Sequence, residues 1–246
     1  MDVHHTILLS VLIFAAATLY SSVGHAGASA YLAVMALAGL DPQIMKPTAL
    51  TLNVLVAIIA TVRFHRAGCF VWPIFWPFAV TSVPAALLGG FLTLPDLWYK
   101  QVVGAVLLLA AYRLFRHAAA TAGPGRRPLA LSAALAAGTV IGLLSGLTGV
   151  GGGIFLTPLL LLVGWADARH ATGVSAAFIL ANSLAGLGGH LAAFRELPSA
   201  VLPWGAAAIA GGLLGSSIGA RRLGEMSLRR VLAVVLVIAA IKLLFL

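Results

Sequence analysis

Two stretches of the chain hold residues whose types and spacing could do chemistry. "SGLTGVGGG" (Ser145–Gly153) carries five glycines in nine residues, and "SSVGHAGAS" (Ser21–Ser29) is its degenerate counterpart. Glycine costs a helix about 1 kcal/mol per residue relative to alanine, so such density predicts a turn whose backbone comes close to something else. Where a helix starts just after such a turn, its unsatisfied N–H groups and about half a positive charge favour an anion. The candidate anion donors are therefore Gly24, Gly27, Gly149, Gly151, Gly152 and Gly153. Hydroxyls and amides that donate without a buried charge join them: Ser22, Ser29 and Thr148 beside the turns, and Thr48, Asn53, Ser175 and Asn182 on the helices that follow. Ser21, Ser145, Thr51 and Ser183 are of the same kind. A serine or threonine in a membrane helix commonly bonds its own backbone instead, whereas a buried asparagine demands several partners. His25 lies inside the first turn, where an imidazole can donate to an anion or carry a coupling proton near neutral pH, or simply serve as a satisfied structural histidine.

Other chemistries are poorly supported. The glycine cluster lacks the lysine and hydroxyl residue of a phosphate loop, HExxH is absent, and the single Cys69 cannot build a disulfide or a cysteine metal site. The expectation is no metal, no cofactor and no enzymatic activity. All six acids (Asp2, Asp41, Asp96, Asp167, Glu196 and Glu225) fall in expected loops or ends, leaving no carboxylate at mid-membrane for a proton relay.

The elements that must position these residues are membrane helices. With 61% hydrophobic and 9% charged residues over 246 positions, the chain reads as an all-α polytopic membrane protein. Runs long enough to cross a bilayer core of about 30 Å lie at 6–23, 47–64, 70–93, 99–116, 129–147, 171–192, 198–219 and 229–245. Eight full-length transmembrane helices are expected. Two apolar pieces, 28–40 and 152–164, are too short to cross comfortably and read as glycine-interrupted, re-entrant or broken helices. The net charge of +9 sits between spans, so it reports orientation and calls for no nucleic acid. The first segment reads as a retained helix rather than a signal peptide, because its n-region has histidines and Asp2 in place of lysine or arginine.

A shift of 125 residues lays Gly24 on Gly149, Gly27 on Gly152 and His65 on His190, and brings the two short pieces together. The expected organisation is a first repeat over 1–116, a basic linker over 117–128 and a second repeat over 129–246. A cytoplasmic linker places Arg63–Gly68, Trp165–His170 and Arg221–Arg230 inside, with Asp41–Lys46, Leu94–Trp98 and Ala193–Leu197 outside. Eleven of the fifteen lysines and arginines then face the cytoplasm, as the positive-inside bias requires. The two halves come out inverted, provided each short piece returns to the side from which its preceding helix entered. Inverted repeats with two short interrupted segments point to a secondary transporter with a midplane site. His65, His190, Arg63 and Arg66 read as interfacial or orienting residues. Arg195 could steer anions from outside, and the four-residue glycine spacing at Gly211, Gly215 and Gly219 reads as helix packing.

"GLLSGLTGVGGGIFLTPLL" (Gly142–Leu160) and "ARHATGVSAAFILANSLAG" (Ala168–Gly186) resemble the second-half signature of the TauE/SafE sulfite exporter family, also called the toluene sulfonate uptake permease family. "SSVGHAGASAYLAVM" (Ser21–Met35) and "KPTALTLNVLVAIIATVRFHRAG" (Lys46–Gly68) resemble its first half, with Ala26 and Ala28 in place of usual glycines and His25 at a commonly apolar place. The resemblance implies a multi-pass transporter of the bacterial inner membrane that moves sulfite, sulfonates or related small organic anions. Export needs no carboxylate, since a potential negative inside expels an anion with about 2.3 kcal/mol per charge per 100 mV. The alternative is an anion channel that uses the same site without alternating access. His25 makes the first turn unlike the second, so the halves should contribute unequally to the anion.

Overall fold

A computed structural model describes residues 3–40, 42–92, 127–189 and 200–222, with isolated helical positions at Leu108, Tyr112, Val234, Val237, Ile241 and Leu244. The expected spans 99–116 and 229–245 lie outside the described residues apart from those positions. So does the linker apart from Arg127 and Pro128. Among the described residues there is no strand, and eight helices follow one another: α1 (Val3–Ser21), α2 (Ala28–Leu37), α3 (Pro42–Arg66), α4 (Trp72–Phe91), α5 (Leu131–Thr148), α6 (Gly153–Val163), α7 (Ala168–Gly189) and α8 (Val201–Arg222). Six of them are long and apolar enough to cross a bilayer. The 11 residues of α6 rise only about 16 Å. The protein is a multi-pass membrane protein.

Two boundaries differ from the sequence expectation. Pro42–Lys46 and Ala168–His170, read above as loop, are the first turns of α3 and α7. Proline fits the first helical position because its missing N–H has no partner there anyway. At α7, Asp167 Oδ1 accepts the His170 N–H at 2.9 Å, an N-cap that starts the helix early.

Side-chain burial divides the helices into two cores. Leu9 and Ile13 of α1, Tyr31 and Met35 of α2, Leu52 and Val56 of α3, and Trp204 and Ala208 of α8 form the first, joined by Ile179 of α7. Ile74 and Phe78 of α4, Ala134 and Ile141 of α5, Leu156 and Leu160 of α6, and Val174 and Phe178 of α7 form the second. Each core thus takes one long helix from across the 117–128 segment: α8 joins α1–α3 in the first, and α4 joins α5–α7 in the second. The two meet along a seam between α3 and α7, where Ala60, Phe64 and Cys69 pack with Ala176.

Glycine stripes hold the exchanged helices. On α5, Gly138 faces Phe78, Gly142 faces Ser82 and Gly146 faces Ala86 of α4; on α8, Gly211 faces Phe14 and Gly215 faces Thr18 of α1, and Gly219 faces Ser22 just past its end. At each of these positions a Cβ would collide with the backbone it faces. With no hydrophobic drive between helices in lipid, such close approach supplies the dispersion contacts that hold them. Residue numbers rise together in both pairs, so α4 runs parallel to α5 and α1 parallel to α8. In contrast, α3 runs antiparallel to α7, with Leu50 against Gly186, Asn53 bonded to Ser183 and Cys69 under Gly173. Ser82–Asn182 and Gly90–Gly189 make α4 parallel to α7, while Val56–Gly212 and Arg63–Ser217 make α3 parallel to α8. Outward faces carry Leu8, Val11, Leu88, Phe91 and Leu202, the expected lipid surface.

Bulk on the stripes should therefore cost more than bulk elsewhere. Gly146→Leu and Gly215→Leu should each lose about 1–3 kcal/mol from overpacking. Gly39→Ala, at φ +73° with nothing within 4 Å of the new Cβ, should lose only the left-handed penalty of about 1 kcal/mol. Thermal unfolding of the purified protein in detergent, followed by tryptophan fluorescence, ranks the three; equal losses would mean that the stripes are not tight interfaces.

Candidate functional site

The glycine cluster folds into a sequence of left-handed turns. Gly149 ends α5 at φ +74°, with its N–H donated to Ser145 O; Gly151 follows at φ +81° and Gly152 starts α6 at φ +78°. The first stretch does the same with fewer glycines, Gly24 at φ +74° and Gly27 at φ +100°. Only glycine adopts these angles without cost. Further along, Gly39 and Gly164 repeat the correspondence at φ +73° and +79° after the short helices. That pair, also 125 residues apart, belongs to the same pattern as Gly24–Gly149 and Gly27–Gly152, and the sequence reading passed over it.

Each turn packs on the other part of the chain. A Cβ on Gly24 would strike the Thr172 backbone at the start of α7; one on Gly149 would lie 3.5 Å from Lys46 O at the start of α3. From these anchors near the ends of α7 and α3 the chain runs inward. At the middle of the seam α2 and α6 begin. Asn53 ties the two starts together: its Oδ1 accepts the Ala28 N–H at 3.1 Å, its Nδ2 donates to Ser183 Oγ at 2.9 Å, and Gly151 lies directly against Nδ2. Across from it, His25 reaches α6. The His25 ring is buried, with Nδ1 3.2 Å from Val23 O, Nε2 3.5 Å from Thr157 Oγ1 and the Gly153 backbone also in hydrogen-bonding contact. Thr157 in turn donates to Ser175 Oγ at 2.5 Å.

What remains unpaired is backbone. The helix-start amides of Ala30 and Tyr31 turn back on Gly27 O, and those of Phe155 and Leu156 on Gly152 O. The amides of Ala26, Gly27 and Ser29, and of Val150, Gly151, Gly152, Gly153 and Ile154, donate to no acceptor among the described residues, and all eight residues are buried. A buried N–H without a partner costs about 1–3 kcal/mol, so this grouping is unusual. The short helices supply no side-chain cap at the second turn.

The side-chain candidates separate into engaged and free groups. Ser22 bonds Leu19 O at 2.7 Å, Thr148 bonds Leu144 O at 2.6 Å and Thr51 bonds Pro47 O at 2.8 Å, each within its own helix. Ser21 reaches Gly212 O, and Ser29 reaches Tyr20 Oη at 3.2 Å. Asn182 Nδ2 donates to Ser82 Oγ at 3.1 Å and Phe178 O at 2.9 Å, leaving its Oδ1 without a partner; Thr48 Oγ1 and Ser145 Oγ are buried and unpartnered too. His65 is exposed and packs against Phe70, while His190 and Arg195 lie outside the described residues. Of the six acids only Asp167 is described, and it caps α7. Among the described residues no three His, Cys, Asp or Glu side chains come together as a metal site.

Thr157, Tyr20, Tyr31 and Ser82 were absent from the sequence candidates. Tyr31 donates to Ala26 O at 2.5 Å, and its ring occupies the space beside Gly27. Thr157 sits one turn into a piece that reads as uniformly apolar. Its only sequence signal is a hydroxyl at that position.

The family model described as Sulfite exporter TauE/SafE matches residues 9–243. A protein named "Probable membrane transporter protein y4hK", from Sinorhizobium fredii (strain NBRC 101917 / NGR234), is 41% identical over 243 residues, covering 96% of this chain and 97% of that one. No solved structure matches the chain.

The two asparagines should respond differently to truncation. Asn53→Ala strands the Ala28 N–H and Ser183 Oγ and should cost about 1–3 kcal/mol. Asn182→Leu removes an amide whose carbonyl already lacks a partner, so its cost should be smaller. Unfolding midpoints in mild detergent test the ranking, and the reverse order would remove Asn53 as the brace.

Proposed function

The chain belongs to the TauE/SafE sulfite exporter family of membrane transporters, and from that premise we propose that it exports a small sulfur-containing anion, sulfite or a sulfonate, across the bacterial inner membrane. The anion is held at mid-membrane where α2 and α6 begin. One observation carries this: eight buried amides at and beside two helix starts have no acceptor among the described residues. Backbone donors grouped at helix N-termini suit an anion and nothing cationic. His25, Thr157 and Ser175 border the same place and supply side-chain donors, with His25 the candidate for any coupling proton.

The finer architecture follows in the same reading. The chain is two inverted repeats, 1–116 and 129–246, joined by a cytoplasmic linker at 117–128. Supporting this, α3 and α7 are antiparallel, α1 and α5 run oppositely by the packing directions above, and the left-handed glycines recur at a spacing of 125 residues. Parallel packing of α4 on α5 requires the intervening chain to return across the bilayer, which a span at 99–116 supplies. With a second further span at 229–245, the count of full crossings becomes eight.

Two cores meeting along one seam favour alternating access over a fixed pore. The α1–α2–α3–α8 unit and the α4–α7 unit can rock about α3 and α7 and open the anion site to one side at a time. Such rocking preserves each unit's packing, since interfaces switch more readily than packed interiors deform.

Reconstitution in liposomes tests the reading. The wild-type protein should move sulfite or methanesulfonate saturably, with acetate as a control and no single-channel currents. Gly152→Ala should cut the flux at least about tenfold, because a left-handed start and Phe178 at 2.9 Å leave a Cβ no room. Absence of any sulfur-anion flux would remove the cargo, and ohmic unitary currents would replace the transporter by a channel.

A further inference from the structure

Beside the free amides of the second turn lies one more donor. Ser145 Oγ is fully buried and has no partner among the described residues, and the Ser145 Cβ is 3.3 Å from the place a Gly152 Cβ would occupy. Thr48 and Thr61 are the other described hydroxyls buried without a partner, and neither is among the groups nearest a Cβ placed on Gly151, Gly152 or Gly153 of this turn. Ser10, Thr18, Thr51, Thr139, Thr172, Ser216 and Ser217 all bond the carbonyl four residues back, whereas Ser145 forgoes that bond.

The surroundings are neutral. Buried polar side chains in the described residues are serines, threonines, asparagines and His25, with no lysine, arginine, aspartate or glutamate among them. Lys46, whose backbone abuts Gly149, is only half-buried.

Resting on the anion-transport reading above, we propose that Ser145 Oγ and the amides of Gly151–Ile154 form the main oxyanion subsite, and that the species they take is a monoanion. The cargo is then hydrogensulfite or a sulfonate R–SO3⁻, not the sulfite or sulfate dianion. Ion desolvation scales with the square of the charge, and the idealised cost for one charge is already about 20 kcal/mol. Neutral donors repay only in proportion to the charge. A second negative charge would thus roughly quadruple the cost while doubling the return, so a site without a buried cation favours the single charge.

A consequence concerns the proton. Sulfite carried as HSO3⁻ takes its proton along and releases it after exit, giving SO3²⁻ and H⁺ in water. The proton rides on the substrate, so the protein needs no intramembrane carboxylate for it.

Proteoliposomes with equal pH on both sides separate the possibilities, using sulfite, which titrates, and methanesulfonate, which does not. Above the second ionisation of sulfite its flux should fall about tenfold per pH unit, while methanesulfonate flux stays level and sulfate fails to compete with either. Methanesulfonate also reports any titration of His25, Lys46, Tyr20 or Tyr31, the titratable side chains bordering the turns. Ser145→Ala should raise the half-saturation concentration for methanesulfonate about tenfold, since a hydrogen bond to a charged group contributes at least one such factor, and leave the melting temperature of the ligand-free protein unchanged. Sulfite flux that is flat or rising with pH, or effective competition by sulfate, overturns the monoanion. An unchanged half-saturation in Ser145→Ala removes the hydroxyl from the site. Failure of both probes at every pH would instead defeat the anion reading itself.

Discussion

In a bilayer every backbone N–H must find an acceptor, because lipid offers none. Among the described residues eight buried amides at two helix starts break that rule, and much of the rest of the structure can be understood as what makes the breach tolerable. Left-handed glycines allow the chain to stop one helix and begin another inside the protein. The long helices α3 and α7 then wall the two starts off from lipid. Asn53 satisfies one amide of α2 with its carbonyl and holds the opposite helix through Ser183. That single brace occupies one amide and joins the α2 start to α7.

The two turns are alike in backbone and unlike in side chains. Gly24, Gly27 and Gly39 match Gly149, Gly152 and Gly164 in angle, yet His25 and Tyr31 stand where the second half has Val150 and Leu156. Tyr31 and Asn53 engage the Ala26 carbonyl and the Ala28 amide of the first turn. More amides stay free at the second. The two turns are thus finished differently: side chains complete the first, and backbone alone makes the second.

Much of this was legible in the residues. Composition and run lengths announce the membrane helices, and glycine density marks both turns, since few other roles tolerate five glycines in nine positions. Helix starts at Pro42 and Ala168 were hidden because polar residues such as Gln43, Lys46, Arg169 and His170 look like loop when read for hydropathy alone. Thr157 was hidden by its apolar neighbours, and the partnership of Asn53 with Ala28 spans a distance in sequence that periodicity does not report. The stripe Gly211–Gly219 reads correctly as a packing surface, but not which helix it meets. Pairing is a property of tertiary structure, and a stripe of small residues fits any flat partner.

The exchange of long helices between the two cores bears on how the chain is made. The core that contains α1, α2 and α3 is completed by α8, which leaves the ribosome after everything else described in that core. Until then Leu9, Ile13, Leu52 and Val56 lack their partners Trp204 and Ala208, and the α1 face opposite Gly211 and Gly215 is open. The second core, α4 to α7, is contiguous in the chain and can close first. Synthesis from the N-terminus therefore delivers the first helices early but finishes their packing late, so an early truncation or stall strands three helices with an unfilled groove. Such a species would be a natural client for insertase or quality-control machinery, which recognises exposed intramembrane surfaces of incompletely packed chains.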